Sequence, residues 1–212
     1  MHFISFKYAF ILMNNMIIMV ATVAVFFDFG GVDGTPATLQ DTTSLGPPNL
    51  RFKTADDATI DNQNPIPIPS GAAINSFWKS IYLKVTAGTF TQIDNVKFYT
   101  DGGGFGTGII TYVGDQLPVK NSGANTGYVV ATGTAGTSGN EIVASHAGIS
   151  AKTDAFTFTS GSPMTITISE ASGLMNAIGE TTNYLVTQMN VASTAGPGNL
   201  ADETWTYQYD EI

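Results

Sequence analysis

Alternation of apolar and polar residues between Ser76 and Gly108 is the feature that most limits what this chain can fold into. The apolar positions of its two runs are Phe77, Ile81, Leu83 and Val85, then Ile93, Val96 and Phe98. Side chains of a strand point alternately to its two faces, so each run predicts a half-buried strand. We expect both strands in an antiparallel sheet closed by a glycine-rich turn.

Apolar runs bounded by turn residues recur along the rest of the chain. They predict strands over 20–29, 49–54, 109–113, 155–159, 164–169, 184–191 and 204–209. Residues 31–48 and 120–139 are rich in Gly, Thr, Ser and Asn, which is typical of loops, and 169–178 is the single helical candidate. The sequence therefore predicts an all-β fold, an antiparallel two-sheet sandwich of jelly-roll or immunoglobulin-like type with long glycine- and threonine-rich loops and little helix.

Shared-face spacing also predicts the core. The residues expected to be buried are Phe77, Ile81, Leu83, Val85, Val96, Phe98, Ile166, Ile168, Leu185 and Trp205.

Charge is scarce in this chain, and its sign is negative. Charged residues make up 12% of the sequence and the net charge is −9, whereas a typical soluble domain has about 25% charged residues. Neutral hydroxyl and amide groups lose water at lower cost than charges do, so such a surface suits packing against copies of the same chain. The few basic residues are dispersed, which argues against nucleic acid as a partner.

The N-terminal segment allows three interpretations. Residues 1–27 could be a secretory signal, a membrane anchor interrupted by Asn14 and Asn15, or an upstream extension before a natural start at Met19. In the last case 20–29 is the first strand. We expect residues 1–18 to be an extension or targeting segment and 19–212 to be a single β-sandwich domain.

An acidic loop offers the one candidate metal site. Asp56, Asp57 and Asp61 lie close together with Asn62 and Asn64, and calcium prefers about six to eight oxygen ligands. The loop could supply part of a calcium site, or it could be a solvated turn. No other cofactor is predicted.

Aromatic residues offer a candidate binding strip. Trp205, Tyr207 and Tyr209 alternate on one face of the last strand, and Trp78 lies in the first alternating run. They predict either a closed sandwich core or rings that stack on a sugar or dock a partner.

Catalytic motifs find little support. His146 is predicted to lie in a loop or at a strand edge, and Ser76–Lys79 matches S-x-x-K on a strand, where serine and lysine do not share a helical face. The cysteine-free chain lacks thiolate chemistry. We therefore expect a protein that is not an enzyme.

Several segments resemble a recurring group of virion-associated structural proteins from tailed bacteriophages, archaeal viruses and environmental virus genomes. The resemblance rests on LGPPNLRFKTADDATIDNQNPIPIP (45–69), FWKSIYLKV, VKFYTDGGG and the terminal YDEI. It implies a virion location and a capsid-decorating, head-fibre or tail-associated subunit that contacts copies of itself or other virion proteins.

Two other functions stay open. The chain could be a secreted cell-surface or pilus-like filament subunit that donates a β-strand, with 20–29 as the candidate strand. It could also be a carbohydrate-binding module for cell-surface glycans. A membrane contact is expected only if the N-terminal segment is an anchor.

Overall fold

Two packed β-sheets make up the described part of the chain. The computed structural model describes residues 4–9, 20–40, 50–59, 63–121, 124–198, 200 and 202–212. The strands are β1 (Ile4–Ala9), β2 (Ala21–Val32), β3 (Thr35–Gln40), β4 (Ile74–Asn75), β5 (Lys79–Gly88), β6 (Ile93–Thr100), β7 (Ile109–Gly114), β8 (Gly133–Thr134), β9 (Ser138–Gly139), β10 (Lys152–Asp154), β11 (Met164–Thr165), β12 (Leu185–Val191) and β13 (Glu203–Glu211). One short helix, α1 (Ile142–Ser145), and a 3₁₀ turn (Ala155–Thr157) complete the elements.

The strands form two sheets. Sheet A has the order β1-β13-β6-β11, and sheet B begins β3-β2-β5-β12. On the far side of β12 lies β7, which also pairs with β10, and the short strands β4, β9 and β8 extend sheet B at one end. Among the strand pairs described, only β1 with β13 is parallel. The predicted all-β antiparallel sandwich is confirmed.

The strands formed by the two alternating runs between Ser76 and Gly108 lie in opposite sheets. β5 belongs to sheet B and β6 to sheet A, so the chain crosses the sandwich between them, and our expectation of one sheet closed by a turn is wrong. The apolar faces meet across the core, where Leu83 and Val85 share a cluster with Val96 and Phe98. Alternation determines which face is buried, but it does not determine which strands pair.

A β-bulge explains why Ile93 and Val96 are both buried although three positions separate them. Asn95 adopts a left-handed conformation (φ 50°), and its side-chain amide donates a 2.8 Å hydrogen bond to Asp210. The pairing of β6 with β13 shifts by one residue at this point. The extra residue restores the inward direction of the strand's apolar side chains.

The core forms where the sequence predicts it, and sheet B is covered on its outer face as well. All ten predicted core residues are buried. A second apolar cluster on the outer face contains Phe77, Trp78, Tyr82, Tyr128, Ala131, Ile142, Ile149, Tyr184 and Val186. Within the predicted loop 120–139, Tyr128 and Ala131 are buried against the sheet, so the described residues of this loop are not all exposed.

Local differences from the predicted elements follow from tertiary contacts. Strand β3 lies within the expected loop 31–48, while residues 50–54 are buried without a strand. The expected strand 155–159 begins as a 3₁₀ turn, because Asp154 accepts a hydrogen bond from the Phe156 N–H. The expected strand 164–169 is shortened to β11, and 169–178 contains turns and no helix.

The N-terminal apolar stretch is a central strand. β2 pairs with β3 on one side and β5 on the other, and its Val25 and Phe27 are buried in the core, which confirms a strand at 20–29. Part of the expected extension forms β1, and residues 10–19 lie outside the described residues. The described residues contain no helix that is both long enough and apolar enough to span a membrane.

Candidate functional site

A buried ion pair lies at one end of the sandwich core. Lys79 begins β5, and its Nζ donates to Asp56 Oδ1 at 2.7 Å and to the main-chain oxygen of Asp57 at 3.2 Å. The Lys79 side chain is 0% exposed and that of Asp56 is 9% exposed. The second oxygen of Asp56 accepts a 2.7 Å hydrogen bond from the Gly30 N–H. We call these two side chains the Lys79–Asp56 pair.

Burial changes the acid–base behaviour of this lysine. Removal from water lowers the pKa of the Lys79 ammonium below its usual value, and the Asp56 carboxylate offsets part of that effect. A lysine with a lowered pKa spends more time as the neutral amine, which is the nucleophilic form.

A second lysine takes the next carboxylate of the acidic loop. Lys53 Nζ lies 2.7 Å from Asp57 Oδ1, and Asp57 Oδ1 also accepts the Thr59 N–H at 2.9 Å. Asp56 and Asp57 thus each face an ammonium group, and Asp61 lies outside the described residues. Within those residues no group of three or more His, Cys, Asp or Glu could hold a metal ion, and the calcium hypothesis stays a prediction.

A second buried carboxylate lies on the outer face of sheet B. Asp28 of β2 accepts hydrogen bonds from the hydroxyl groups of Thr38 (2.6 Å) and Tyr184. The Tyr82 hydroxyl lies at 3.5 Å, and the Lys120 ammonium sits 4.7 Å from the Tyr82 ring centroid. We call these five residues the Asp28 cluster. Burial raises the pKa of the Asp28 carboxyl group, and the hydrogen bonds lower it in part.

The Asp28 cluster attaches the segment around Lys120 to sheet B. Asp28 and Tyr184 are fully buried, so a substrate could not reach either group unless the residues packed over them moved. Lys120 also contacts the side chain of Asn125. No motif in the sequence points to this cluster. Its only signal was one acid, Asp28, between two phenylalanines.

The four aromatic candidates are all core residues. Trp78, Trp205, Tyr207 and Tyr209 are buried; Trp78 donates to the Val129 oxygen at 3.0 Å, and Trp205 packs edge-on against Phe98. A ring that stacks on a sugar must expose one face. The arrangement favours the closed-core interpretation over a glycan-binding strip.

The residues considered for catalysis do not come together. The Ser76 hydroxyl accepts the Met189 N–H at 3.0 Å, while Lys79 binds Asp56, so the S-x-x-K match assembles no nucleophile–base pair. His146 directly follows α1, and its Nδ1 accepts the Gly148 N–H at 3.1 Å. Its ring lies edge-on to Trp78, and burial lowers its pKa.

The β3 edge is the clearest surface feature. β3 reads TPATLQ, carries no charge and is exposed at every position except the half-buried Pro36. β2 pairs with one of its sides, and no described strand pairs with the other. Because β2 already has partners on both sides, the expected donation of 20–29 to another subunit has no support, and β3 is the better candidate for contact between subunits.

The chain was also compared with known proteins. No family model, curated protein or solved structure matches it. The resemblance to virion-associated structural proteins therefore stays a prediction.

Proposed function

We propose that this chain is a non-enzymatic structural subunit of a virus particle. It works in many copies, as a capsid-decorating, head-fibre or tail-associated protein. The observation that carries the proposal is the exposed, uncharged strand β3, which is the last described strand at one edge of a two-sheet sandwich of low charge.

The chemistry of the β3 edge suits contact between subunits. An edge strand offers a row of main-chain N–H and C=O groups, and proteins that must stay apart block such edges with charged residues, bulges or covering loops. β3 has no charged residue, although Pro36 removes one donor. A second strand could pair with it without stripping water from any charge within β3.

The buried polar groups support a non-enzymatic role. Lys79, Asp28 and His146 are each buried against the body of the sandwich, where they hold segments of the chain together. A virion subunit needs such rigidity, and it needs no reactive group at its surface.

Self-association tests the proposed contact. Ala37 is exposed on β3, so we expect Ala37→Lys to weaken association of the purified full chain at least tenfold in sedimentation equilibrium. Ile178→Lys is the matched control, because Ile178 is 61% exposed outside the described strands. Loss of association in both variants, or a wild type that stays monomeric at high concentration, would contradict a β3 contact.

Location tests the virion assignment. Mass spectrometry of purified particles should detect peptides of this chain in many copies per particle. Finding the chain on the cell surface or in filaments would favour the secreted subunit, which is the second candidate. A carbohydrate-binding module has no comparable support, because its candidate rings are buried.

A further inference from the structure

The Lys79–Asp56 pair holds an amino and a carboxyl side chain in direct contact. The Lys79 nitrogen lies 2.7 Å from a carboxylate oxygen of Asp56, and the side chains come from different parts of the fold, β5 and the acidic loop. Groups held in contact by a folded scaffold react as if present at very high concentration.

We propose that Lys79 and Asp56 condense to an intramolecular isopeptide bond that covalently links β5 to residue 56. This inference rests on the described geometry and does not depend on the proposed function. It places a covalent cross-link in a chain that has no cysteine.

The reaction balances without any other reactant. A proton moves from the Lys79 ammonium to Asp56 Oδ1, and the neutral amine attacks Cγ of the resulting carboxylic acid. The Nζ–Cγ bond forms, a second proton moves from Nζ to Oδ1, and the Cγ–Oδ1 bond breaks. One molecule of water leaves, and one positive and one negative charge disappear together.

The surroundings favour attack by the neutral amine. The Gly30 N–H lies 2.7 Å from Asp56 Oδ2, where negative charge develops during attack, and a fixed donor at such a position stabilises the intermediate. Burial lowers the pKa of Lys79, which favours the neutral amine that must attack. Two desolvated charges are costly in a protein interior, and condensation removes both.

The neighbouring Lys53–Asp57 pair provides an internal contrast. Its Nζ–Oδ1 distance is the same 2.7 Å, but the Asp57 side chain is 36% exposed. Water solvates that carboxylate and competes with the amine, so we expect no bond there. The two pairs have the same Nζ–Oδ1 distance and differ in the burial of the aspartate side chain.

Intact-mass measurement of the denatured full chain tests the bond. We expect wild type to weigh less than its sequence mass by one molecule of water, in essentially every molecule. The deficit should be absent from Lys79→Arg and Asp56→Ala, and it should persist in Lys53→Arg, the matched control. A wild-type mass equal to that of the sequence overturns the proposal whether or not the variants fold.

Trypsin digestion distinguishes the bond from other losses of water. An isopeptide at Lys79 blocks cleavage after that residue, so residues 54–84 should appear as one peptide lacking one water. Normal cleavage after Lys79, with the deficit elsewhere, would indicate cyclisation of an aspartate and would overturn the cross-link. Loss of the deficit in Lys53→Arg while Lys79→Arg keeps it would do the same.

Discussion

The Tyr184 hydroxyl, on the residue just before β12, donates a hydrogen bond to the buried carboxylate of Asp28 on β2, although β5 lies between β2 and β12 in sheet B. The Tyr82 ring of β5 lies between them, 5.6 Å from the Tyr184 ring and edge-on to it. Together these contacts link β2, β5 and the start of β12 on the outer face of the sheet, where they add to main-chain pairing.

Removing that hydroxyl should destabilise the fold. Tyr184→Phe leaves a buried carboxylate with one donor fewer, so we expect unfolding free energy to fall by about 1–3 kcal/mol, measured by urea denaturation. Tyr99→Phe is the control, since Tyr99 is half-buried on β6 and its loss of a hydroxyl should cost less than about 0.5 kcal/mol. Equal losses in the two variants would contradict a special role for the Asp28–Tyr184 contact.

Glu203 should give stability a defined pH dependence. Burial, together with the nearby Asp101 carboxylate, raises the pKa of Glu203 from 4.5 to about 7. Between those values the folded state binds more protons than the unfolded state, so this residue makes stability fall as pH rises from 4.5 to about 7.

Glu203→Gln isolates this effect. The variant should lose stability less steeply than wild type over that pH range, in denaturation curves collected at successive pH values. Asp28 also has a raised pKa and contributes the same sign in both proteins, so the difference between the two slopes reports Glu203 together with its coupling to Asp101. Identical slopes would show that Glu203 titrates normally.

Leu83 tests the inner face of sheet B. It is completely buried on β5, so Leu83→Ala should cost about 2–5 kcal/mol of unfolding free energy. Val32→Ala provides the comparison, because Val32 is 63% exposed at the end of β2. A loss under about 0.5 kcal/mol for Leu83→Ala would mean that this face points outward.

Gly139 tests how closely β9 approaches the chain before β5. A Cβ atom there would lie 2.0 Å from the Ser76 main-chain oxygen, whereas one at Gly71 would meet nothing within 4 Å. We expect Gly139→Ala to lower stability by about 1–3 kcal/mol or more through overpacking, and Gly71→Ala to have little effect. Thermal unfolding of both variants measures the contrast, and similar melting temperatures would contradict it.

The alternation of apolar and polar residues predicted which side chains are buried better than it predicted which strands pair. Alternation along β5 and β13 identified residues such as Leu83 and Trp205 as core, because side-chain direction is a local property of a strand. The placement of β5 and β6 in opposite sheets depends on contacts far apart in sequence, which no local pattern encodes. The bulge at Asn95 is intermediate, since an asparagine that interrupts the alternation is a weak local signal.

The Lys79–Asp56 pair could not be predicted from local sequence for a related reason. Lys79 lies on the core-facing side of β5. A lysine at the start of a strand predicts a solvent-exposed strand end, and only knowledge of its acidic partner would predict burial. Asp56 lies 23 residues earlier in a loop that looked suited to calcium. The two meet only because the loop folds back over the end of the sandwich.

Two truncations test the N-terminal boundary. Deleting residues 1–18 removes β1 from the edge of sheet A but keeps β2, whose Ala21 N–H donates to Glu211 at 2.6 Å. A chain beginning at Met19 should therefore retain the strand signal in circular dichroism and a cooperative thermal transition.

Deleting residues 1–29 also removes Val25 and Phe27 from the core and the central strand that links β3 to β5. We expect that chain to lack a cooperative transition, because the lost strand leaves a cavity and removes a pairing partner from both β3 and β5. A folded 1–29 deletion would refute β2 as a core strand, and an unfolded 1–18 deletion would refute a domain boundary at Met19.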